Sequence, residues 1–383
     1  MQDKFRLLDS GYIAVEHDTS SSHLKSLVEI GQRENPRRPF LFVSKILGRH
    51  VPVKPSTMKS SFEALAQKVI ENLDGEKEVS CIGMAETAVC LGAGVHRELS
   101  NLGLNSMFIA STRYPVDGEK VFCEFKEEHS HAQSHFIHMP KDEVLRDKLV
   151  STKTLVLIDD ESSTGKTFLN LTKNLVNSGL SGVKKIVTVT LTDWSNGAVK
   201  EELAKNEATK HIDVLSVSLV AGSYSLVDHK RDENKDKQIA KKIDKNNKSI
   251  PLVYMDVPFN ECRMGMSEST FVIDEAQLSG LDGKILLLAT GEYSWQPFLI
   301  AEYLESKGLD VVTSSTSRSP AYIFGALKSK LELKDNYGQD IDMFAYNLHT
   351  DDYCHVVIVS ETPKENFDKS FLLNFKNVRV INV

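Results

Sequence analysis

Short runs of aliphatic and β-branched residues alternate along the chain with segments in which apolar residues recur at helical spacing. This alternation is typical of α/β units with a parallel sheet. In the first half it predicts strands at residues 79–83, 106–110, 154–158 and 185–191, and helices at 85–99 and from Phe168 to a stop at Gly179. In the second half it predicts strands at 284–289, 310–313 and 355–360, and a helix at 297–306 that Gly308 closes.

The alternation breaks at residues 228–248, which are dense in both signs of charge and almost free of apolar residues. We interpret this stretch as a solvated helix or insert rather than a recognition element. The chain is therefore predicted to contain an α/β domain over residues 1–220, a charged connector over 221–280, and a smaller α/β domain over 281–383. No repeat of fixed period is evident.

Composition and charge narrow the classes of protein further. Asp and Glu number 53 against 46 Lys and Arg, which gives a net charge of -7 and argues against nonspecific binding to nucleic acid or anionic membranes. No apolar run approaches the length of a membrane span, and the first ten residues lack the apolar core of a signal peptide. The 5 cysteines are scattered without C-x-x-C pairing. We expect a reduced, cytoplasmic setting.

Residues 155–167, LVLIDDESSTGKT, are the most informative stretch of the sequence. Four apolar residues form a buried strand, and Asp159 and Asp160 follow at its carboxyl end, where open α/β sheets bind ligands. A turn rich in hydroxyl groups with Gly165 then opens a helix. Hydroxyl groups and free N–H groups at a helix start bind phosphate. This phosphate-binding turn comprises Ser162, Ser163, Thr164, Gly165, Lys166 and Thr167.

Two other interpretations of this stretch remain. The sequence Thr164-Gly165-Lys166-Thr167 resembles the end of a nucleotide P-loop, but that motif needs glycine at position 160, and an acidic pair would repel a triphosphate. An ordinary buried strand followed by a capped helix explains the apolar run but neither the acidic pair nor the hydroxyl groups.

The turn after strand 79–83 is a second candidate for anion binding. Small residues around Ala85, Glu86 and Thr87 let the backbone N–H groups approach an anion, although strand–glycine–helix turns are common. Arg113, which follows strand 106–110, is a further candidate for a diphosphate, and a surface role for it is equally compatible with the sequence.

Four histidines lie within ten residues, at His129, His131, His135 and His138. The spacing of His131 and His135 fits zinc on one helical face, with Glu127 and Glu128 nearby, but no distant second cluster completes such a site. We favour a loop that closes over a reacting centre, in which His129 or His131 moves a proton. A solvated polar hairpin remains the third alternative.

Two further segments carry basic or hydroxyl side chains. Residues 33–52, which include Arg33, Arg38 and Arg49, form either a phosphate or substrate site or a charged surface turn. In the last domain, two loops follow neighbouring strands; they either offer groups suited to an anion, a phosphate or carboxylate, or form ordinary turns with a structural arginine. These candidate residues are Gly291, Glu292, Ser317, Arg318 and Ser319.

Taken together, the segments GMAET, FKEEHSHAQSH, DDESSTGKT and NPRRPFLFVSKILG resemble orotate phosphoribosyltransferase-like proteins with a C-terminal TRSP domain, from tellurium-resistance and stress-associated biosynthetic systems. The resemblance spans nearly the whole chain. In the TRSP motif, Ser317 stands where the family has threonine. The resemblance implies a type I phosphoribosyltransferase fold, a Rossmann-like parallel sheet, for the first domain and a TRSP-like α/β fold for the last.

The resemblance also implies roles for the candidate residues. Asp159 and Asp160 would receive the ribose 2- and 3-hydroxyls of 5-phosphoribosyl 1-diphosphate, with Mg²⁺ bound directly or through water, and residues 162–167 would wrap the 5-phosphate. The turn at 85–87 and Arg113 would take the diphosphate. Family members usually have aliphatic residues at positions 161 and 162 and often glycine at 166, so Glu161, Ser162 and Lys166 are departures. The implied catalytic set is Asp159, Asp160, Glu128, His129 and His131.

We therefore expect an Mg²⁺-dependent enzyme that makes or breaks an N-glycosidic bond between phosphoribosyl diphosphate and a base-like acceptor, in the synthesis of a nucleoside-like metabolite. The alternative is a non-catalytic protein that senses phosphoribosyl diphosphate or a nucleotide. The acidic pair together with a histidine-rich loop favours catalysis. The acceptor, the direction of the reaction, the ligand of the last domain and assembly into a homo-oligomer stay open.

Overall fold

The structure is a computed structural model that describes residues 1–8, 11–35, 38–125, 134–227, 261–271 and 273–382. The charged stretch at 228–248 and the candidates Glu128, His129 and His131 lie outside the described residues. Among the described residues, no helix is both long and apolar enough to cross a bilayer.

The first part of the chain contains the following strands and helices: β1 (Gln2–Arg6), β2 (Tyr12–His17), α1 (Ser21–Leu27), β3 (Val28–Arg33), β4 (Phe40–Ser44), α2 (Pro55–Glu71), β5 (Glu78–Gly83), α3 (Val89–Asn101), β6 (Asn105–Ala110), β7 (Val121–Phe125), β8 (His135–His138), α4 (Glu143–Ser151), β9 (Thr154–Ile158), β10 (Glu161–Ser162), α5 (Lys166–Asn177), β11 (Lys185–Asp193), α6 (Ala198–Ala204) and β12 (Asp213–Val227).

The remainder contains α7 (Glu261–Met264), β13 (Lys284–Ala289), α8 (Trp295–Ser306), β14 (Asp310–Ser315), β15 (Ala321–Tyr322), β16 (Lys330–Lys334), β17 (Asp342–Tyr346), β18 (His355–Ser360), α9 (Lys369–Leu372) and β19 (Val378–Asn382). Single 3₁₀ turns lie at Glu275–Leu278, Thr350–Asp352 and Lys364–Asn366.

The chain forms two compact units. One contains residues 59–223 and 261–270, and the other contains 1–58, 224–227 and 271–382. The first 58 residues thus fold with the last part of the chain rather than with the segment that follows them. The division predicted from the sequence, at residues 220 and 281, stays a prediction.

In the unit of residues 59–223, the strands β12, β11, β9, β5 and β6 lie side by side in that order, and every neighbouring pair is parallel. The strand β9 is central and wholly buried, which explains its unbroken apolar run. The helix α5 buries Phe168, Leu171 and Leu175, the apolar face that the sequence predicted. The predicted α/β fold with a parallel sheet is confirmed.

The helix after β5 is shorter than predicted. It begins at Val89 rather than at residue 85, because residues 84–88 form a turn after β5. The buried side chain of Glu86 pairs with Arg113, and this long-range contact favours the turn over the local helical propensity of residues 85–88.

In the other unit, the strands lie in the order β14, β13, β18, β19, and all neighbouring pairs are parallel. Ile285 and Leu287 pack on one face of this sheet, against the apolar side of α8, while Leu286 and Leu288 pack on the other. The hairpin of β3 and β4 belongs to the same unit, and β15 pairs with β3.

Candidate active site

The acidic pair lies at the carboxyl end of β9. In the sheet register Ile158 pairs with Gly83 of β5 and with Val189 of β11, so the turns that follow these strands meet at one edge. Asp159 and Asp160 are both half-buried there. This is the edge at which parallel α/β sheets bind ligands.

The backbone around the acidic pair is fixed by hydrogen bonds. The N–H of Asp159 donates to the carbonyl oxygen of Val189 (3.0 Å), and the N–H of Asp160 donates to Oδ1 of Asp159 (2.9 Å). The carbonyl oxygen of Asp160 accepts from the N–H of Leu191 (3.1 Å). Both carboxylates therefore stand on a rigid turn rather than on a free loop.

The hydroxyl side chains follow directly on this turn. Ser162 lies in β10, beside β11, and its carbonyl oxygen accepts from the N–H of Trp194 (2.7 Å). The Oγ of Ser162 is buried and has no hydrogen-bond partner among the described residues. Ser163 and Thr167 are half-buried and Thr164 is exposed, so their hydroxyl groups are accessible to a ligand.

Gly165 occupies the position before the first turn of α5 with a φ of 73°, in the left-handed region that favours glycine. A Cβ atom here would lie 2.5 Å from Cγ2 of Val199, so the site excludes a side chain for a second reason. Gly165 provides no side-chain cap for α5, and the start of a helix is a favoured position for an anion.

The turn after β5 lies beside the acidic pair. The N–H of Met84 donates to the carbonyl oxygen of Ile158 (2.9 Å), and the N–H of Ala85 donates to Oγ of Ser111 (2.9 Å). The peptide bond between Ala85 and Glu86 is cis. The structure thus places this second candidate turn at the same sheet edge as Asp159.

Arg113 reaches the same turn, but part of its hydrogen-bonding capacity is used within the protein. Its Nη1 donates to Oε2 of Glu86 at 3.0 Å, and both side chains are largely buried. This ion pair orients the guanidinium and joins Glu86 to the segment that follows β6.

The histidine-rich segment is described only from Ser134 onward. His135 begins the strand β8, where its ring stacks on Phe125 with a centroid distance of 5.0 Å and its Nδ1 lies 3.4 Å from Oγ of Ser111. The zinc alternative needed His135 on a helix and is wrong in that respect. His138 is buried in the same strand, and this burial lowers the pKa of its imidazole.

Sequence reasoning missed two residues at this edge. Ser111 follows β6 as Asp159 follows β9, so its place at a strand end was a usable signal. Arg263 is buried, and its Nε donates to Oγ1 of Thr112 at 3.2 Å. Because Arg263 and Thr112 are 151 positions apart in the sequence, no local pattern indicated this contact.

The candidates in the last domain lie in the other unit, at the carboxyl ends of β13 and β14. The N–H of Gly291 donates to Oγ1 of Thr316 (2.9 Å), and the N–H of Ser319 donates to Oγ of Ser317 (3.2 Å). Glu292 is buried and Arg318 half-buried. The structure brings these five candidates together, as predicted from their positions after neighbouring parallel strands.

The donor set around β9 suits a divalent cation that arrives with its ligand. Within the described ranges, no three His, Cys, Asp or Glu side chains are grouped closely enough to hold a metal ion. Mg²⁺ is usually bound by one or two carboxylates together with substrate phosphates, and the half-buried pair of Asp159 and Asp160 fits that mode.

The acidic pair and the start of α5 thus lie at the carboxyl edge of a parallel sheet, which is the edge at which open α/β folds bind their ligands. A phosphoribosyl transferase family model matches residues 27–223, just over half of the chain, and a model of the TRSP domain, described as C-terminal to this transferase, matches residues 266–375. The chain belongs to the phosphoribosyl transferase family and carries a TRSP domain. The predicted class of enzyme, a phosphoribosyltransferase, is confirmed.

Solved structures with distant similarity include adenine phosphoribosyltransferases from Leishmania donovani (16% identity, 52% of this chain and 78% of that chain, TM-score 0.36) and Trypanosoma brucei (11%, 57% and 86%, TM-score 0.38). Orotate phosphoribosyltransferase from Aeropyrum pernix also matches (16%, 60% and 90%, TM-score 0.28). No curated protein matches the sequence.

Proposed function

We propose that the protein transfers the phosphoribosyl group of 5-phosphoribosyl 1-diphosphate to a nitrogen atom of a base or base-like acceptor. The observation that carries the proposal is the position of Asp159 and Asp160 at the sheet edge, followed after residues 161–165 by the start of α5, which Gly165 leaves without a side-chain cap. Carboxylates bind ribose hydroxyls, and N–H groups at a helix start bind the 5-phosphate, so this order of groups matches a ribose 5-phosphate.

Different residues of the site bind different parts of phosphoribosyl diphosphate. Asp159 and Asp160 accept the 2- and 3-hydroxyls of the ribose, and the turn of residues 162–167 surrounds the 5-phosphate. The backbone of 85–87 binds the diphosphate, and Arg113, oriented by Glu86, adds positive charge on that side. Mg²⁺, when bound to the diphosphate, neutralises charge that develops on the leaving group.

In the reaction, the acceptor nitrogen forms a bond to the anomeric carbon while the bond from that carbon to the diphosphate oxygen breaks. The diphosphate leaves with the electron pair, and the acceptor loses its N–H proton. Side chains chiefly position the reactants and stabilise charge. His129 or His131 accepts the proton in this proposal, so His131→Ala slows turnover more than it weakens binding.

The same geometry serves the reverse reaction, in which diphosphate cleaves a nucleotide. A place in the synthesis of a nucleoside-like metabolite, a link to tellurium resistance and a cytoplasmic location are part of the proposal and rest on the resemblance alone. The acceptor is left to experiment.

The experiment is a measurement of diphosphate release from 5-phosphoribosyl 1-diphosphate with Mg²⁺ and a panel of purine, pyrimidine and pyridine-type bases. The proposal predicts release that depends on both Mg²⁺ and one acceptor. Binding of phosphoribosyl diphosphate without turnover across the whole panel would contradict it in favour of a sensor.

A further inference from the structure

A second group of buried polar side chains lies in the unit that contains the TRSP domain. The strands β14, β13 and β18 are parallel neighbours, so the residues that follow them meet at one sheet edge. Six polar side chains there are at most 5% exposed: Thr290, Glu292, Thr316, Ser317, Glu361 and Thr362. Burial of so many polar groups is costly unless they bind one another or a ligand.

Arg49 brings a positive charge to this edge. It is only 3% exposed, and its Nη1 donates to the carbonyl oxygen of Gly291 (2.6 Å) and to Oγ of Ser315 (2.9 Å). Its own carbonyl oxygen accepts from Oγ of Ser314 at 3.3 Å. The guanidinium is therefore fixed between the ends of β13 and β14. These partners lie more than 240 positions after Arg49 in the sequence.

The neighbouring residue extends the same feature. His50 is buried, its ring centroid lies 5.5 Å from that of Tyr346, and its Nε2 has no hydrogen-bond partner among the described residues. Burial, reinforced by the charges of Arg49 and Arg33, lowers the pKa of His50 to about 3. A neutral imidazole beside two arginines indicates a local environment of positive potential.

Tyr346 links His50 to the loop after β14. Its hydroxyl donates to the carbonyl oxygen of Ser319 (2.7 Å) and accepts from the N–H of Ala321 (2.8 Å). In addition, Ala321 pairs with Arg33 across β15 and β3. Residues 33–35 and 38–50 thus form one structural feature with the loop 316–320, although the sequence left the two segments as separate candidates.

The helix α8 starts at the same edge. It is 12 residues long and begins at Trp295, so that residues 290–294 connect it to β13, and Ser294 provides no side-chain cap. The start of a helix after a parallel strand is a favoured anion position. The Oγ1 of Thr290, between β13 and α8, is buried without a hydrogen-bond partner among the described residues.

One acidic side chain, that of Glu361, lies at the end of β18. The hydroxyl of Tyr337 donates to Oε1 of Glu361 at 2.5 Å, and Nδ2 of Asn336 donates to Oγ1 of Thr362 at 2.7 Å. Carboxylates at this place repel a bare anion but accept hydrogen bonds from hydroxyl groups. A ligand that satisfies the whole edge therefore carries both an anionic end and hydroxyl donors.

We propose that this edge is a second ligand site, which binds a phosphate monoester that also carries hydroxyl groups. The phosphate lies towards Arg49, Ser317 and the start of α8, and the hydroxyl groups lie towards Glu292 and Glu361. The proposal does not depend on the reaction proposed for the other unit.

The test is hydrogen–deuterium exchange of the full chain with ribose 5-phosphate, ribose or inorganic phosphate as separate probes. The proposal predicts protection of residues 290–297 and 316–320 by ribose 5-phosphate and by neither of the other two. Absence of protection in these segments, or protection confined to residues 162–170, would overturn it. Equal protection by inorganic phosphate would overturn the requirement for hydroxyl groups.

Variants separate this site from the first one. In Asp159→Asn/Asp160→Asn, any protection at 162–170 is lost while protection at 290–297 remains. Thr290→Val removes a hydroxyl that has no hydrogen-bond partner among the described residues, so the melting temperature stays equal or rises while binding at 290–297 weakens about tenfold. Thr188→Val is the matched control, because its Oγ1 donates to Oγ of Ser216 (3.0 Å). We expect Thr188→Val to have a lower melting temperature and unchanged binding. A Thr290→Val variant with wild-type affinity would contradict the proposal.

Discussion

The N–H group of Asp160 donates a hydrogen bond to Oδ1 of Asp159 at a distance of 2.9 Å, so the first carboxylate of the acidic pair is oriented by the backbone of the second. An asparagine at position 159 retains an oxygen acceptor for this bond but loses the charge. An alanine loses both. The pair of variants therefore separates orientation from charge.

Asp159→Asn is expected to keep the free energy of unfolding close to that of the wild type and to weaken Mg²⁺-dependent binding of phosphoribosyl diphosphate about tenfold or more. Asp159→Ala loses stability as well. Calorimetric titration and urea unfolding measure the two effects. Asp147→Asn, an exposed change in α4, is the control and should alter neither. Equal affinity in Asp159→Asn and wild type would place the sugar elsewhere.

Gly165→Ala tests the start of α5. The alanine must adopt a φ of 73° and must also displace Val199, so we expect a loss of more than about 1 kcal/mol in unfolding free energy. Phosphoribosyl diphosphate binding should weaken in parallel. Gly118→Ala is a matched control, since Gly118 has a φ of 74° with no atom near the position of a Cβ.

The control isolates the cost of the backbone conformation. Gly118→Ala should cost about 1 kcal/mol and leave binding unchanged. If both variants lose the same stability, the contact with Val199 is not a constraint. If Gly165→Ala binds phosphoribosyl diphosphate normally, this turn does not hold the 5-phosphate.

The ion pair of Glu86 and Arg113 predicts strong coupling in a double-mutant cycle. Each of Glu86→Gln and Arg113→Gln breaks this largely buried ion pair by removing one of its two charges, which costs about 3 kcal/mol. The double variant should recover part of this loss. Urea unfolding of the four proteins measures the coupling, and additive losses would contradict it. Arg113→Gln should also raise the KM for phosphoribosyl diphosphate.

His96 makes the stability of its unit depend on pH. Burial lowers its pKa to about 4, and its Nδ1 lies 2.7 Å from Oγ of Ser106. The unfolded chain binds a proton near the ordinary value of 6.5, so stability is fully present above this pH and is lost as the pH falls from 6.5 towards 4. At pH 5 the free energy of unfolding is therefore lower by about 2 kcal/mol than at neutral pH.

The check is urea unfolding at about pH 7.5 and pH 5 for wild type and His96→Asn. The variant is less stable at the higher pH, because it loses the contact with Ser106, but its stability should fall less on acidification. His211→Asn, an exposed change in the same unit, should keep the wild-type difference between the two pH values. If His96→Asn loses as much stability between the two pH values as the wild type does, His96 is not the source of the pH dependence.

The sequence predicts the structure correctly wherever the local pattern of residues and their tertiary environment favour the same conformation. The buried strand β9, the apolar face of α5 and the ends of β13 and β18 could all be read from periodicity, and the acidic pair could be placed at a strand end. The start of α3 could not be predicted in this way, because Arg113, a residue 27 positions away, holds Glu86 in a turn.

Arg49 shows the same limit more strongly. Its partners lie more than 240 residues away in the sequence, and nothing in its neighbourhood distinguished a buried anchor from a surface charge. Likewise, the association of residues 1–58 with the last part of the chain depends on contacts that have no local signature. Such relationships follow only from tertiary structure.

The most direct test of the central claim is calorimetric titration of phosphoribosyl diphosphate, with and without Mg²⁺, into wild type and into Asp159→Asn/Asp160→Asn. We predict Mg²⁺-dependent binding by the wild type and none by the double variant, whose circular dichroism spectrum and melting temperature remain those of the wild type. A double variant that is folded and binds with unchanged affinity would contradict the claim.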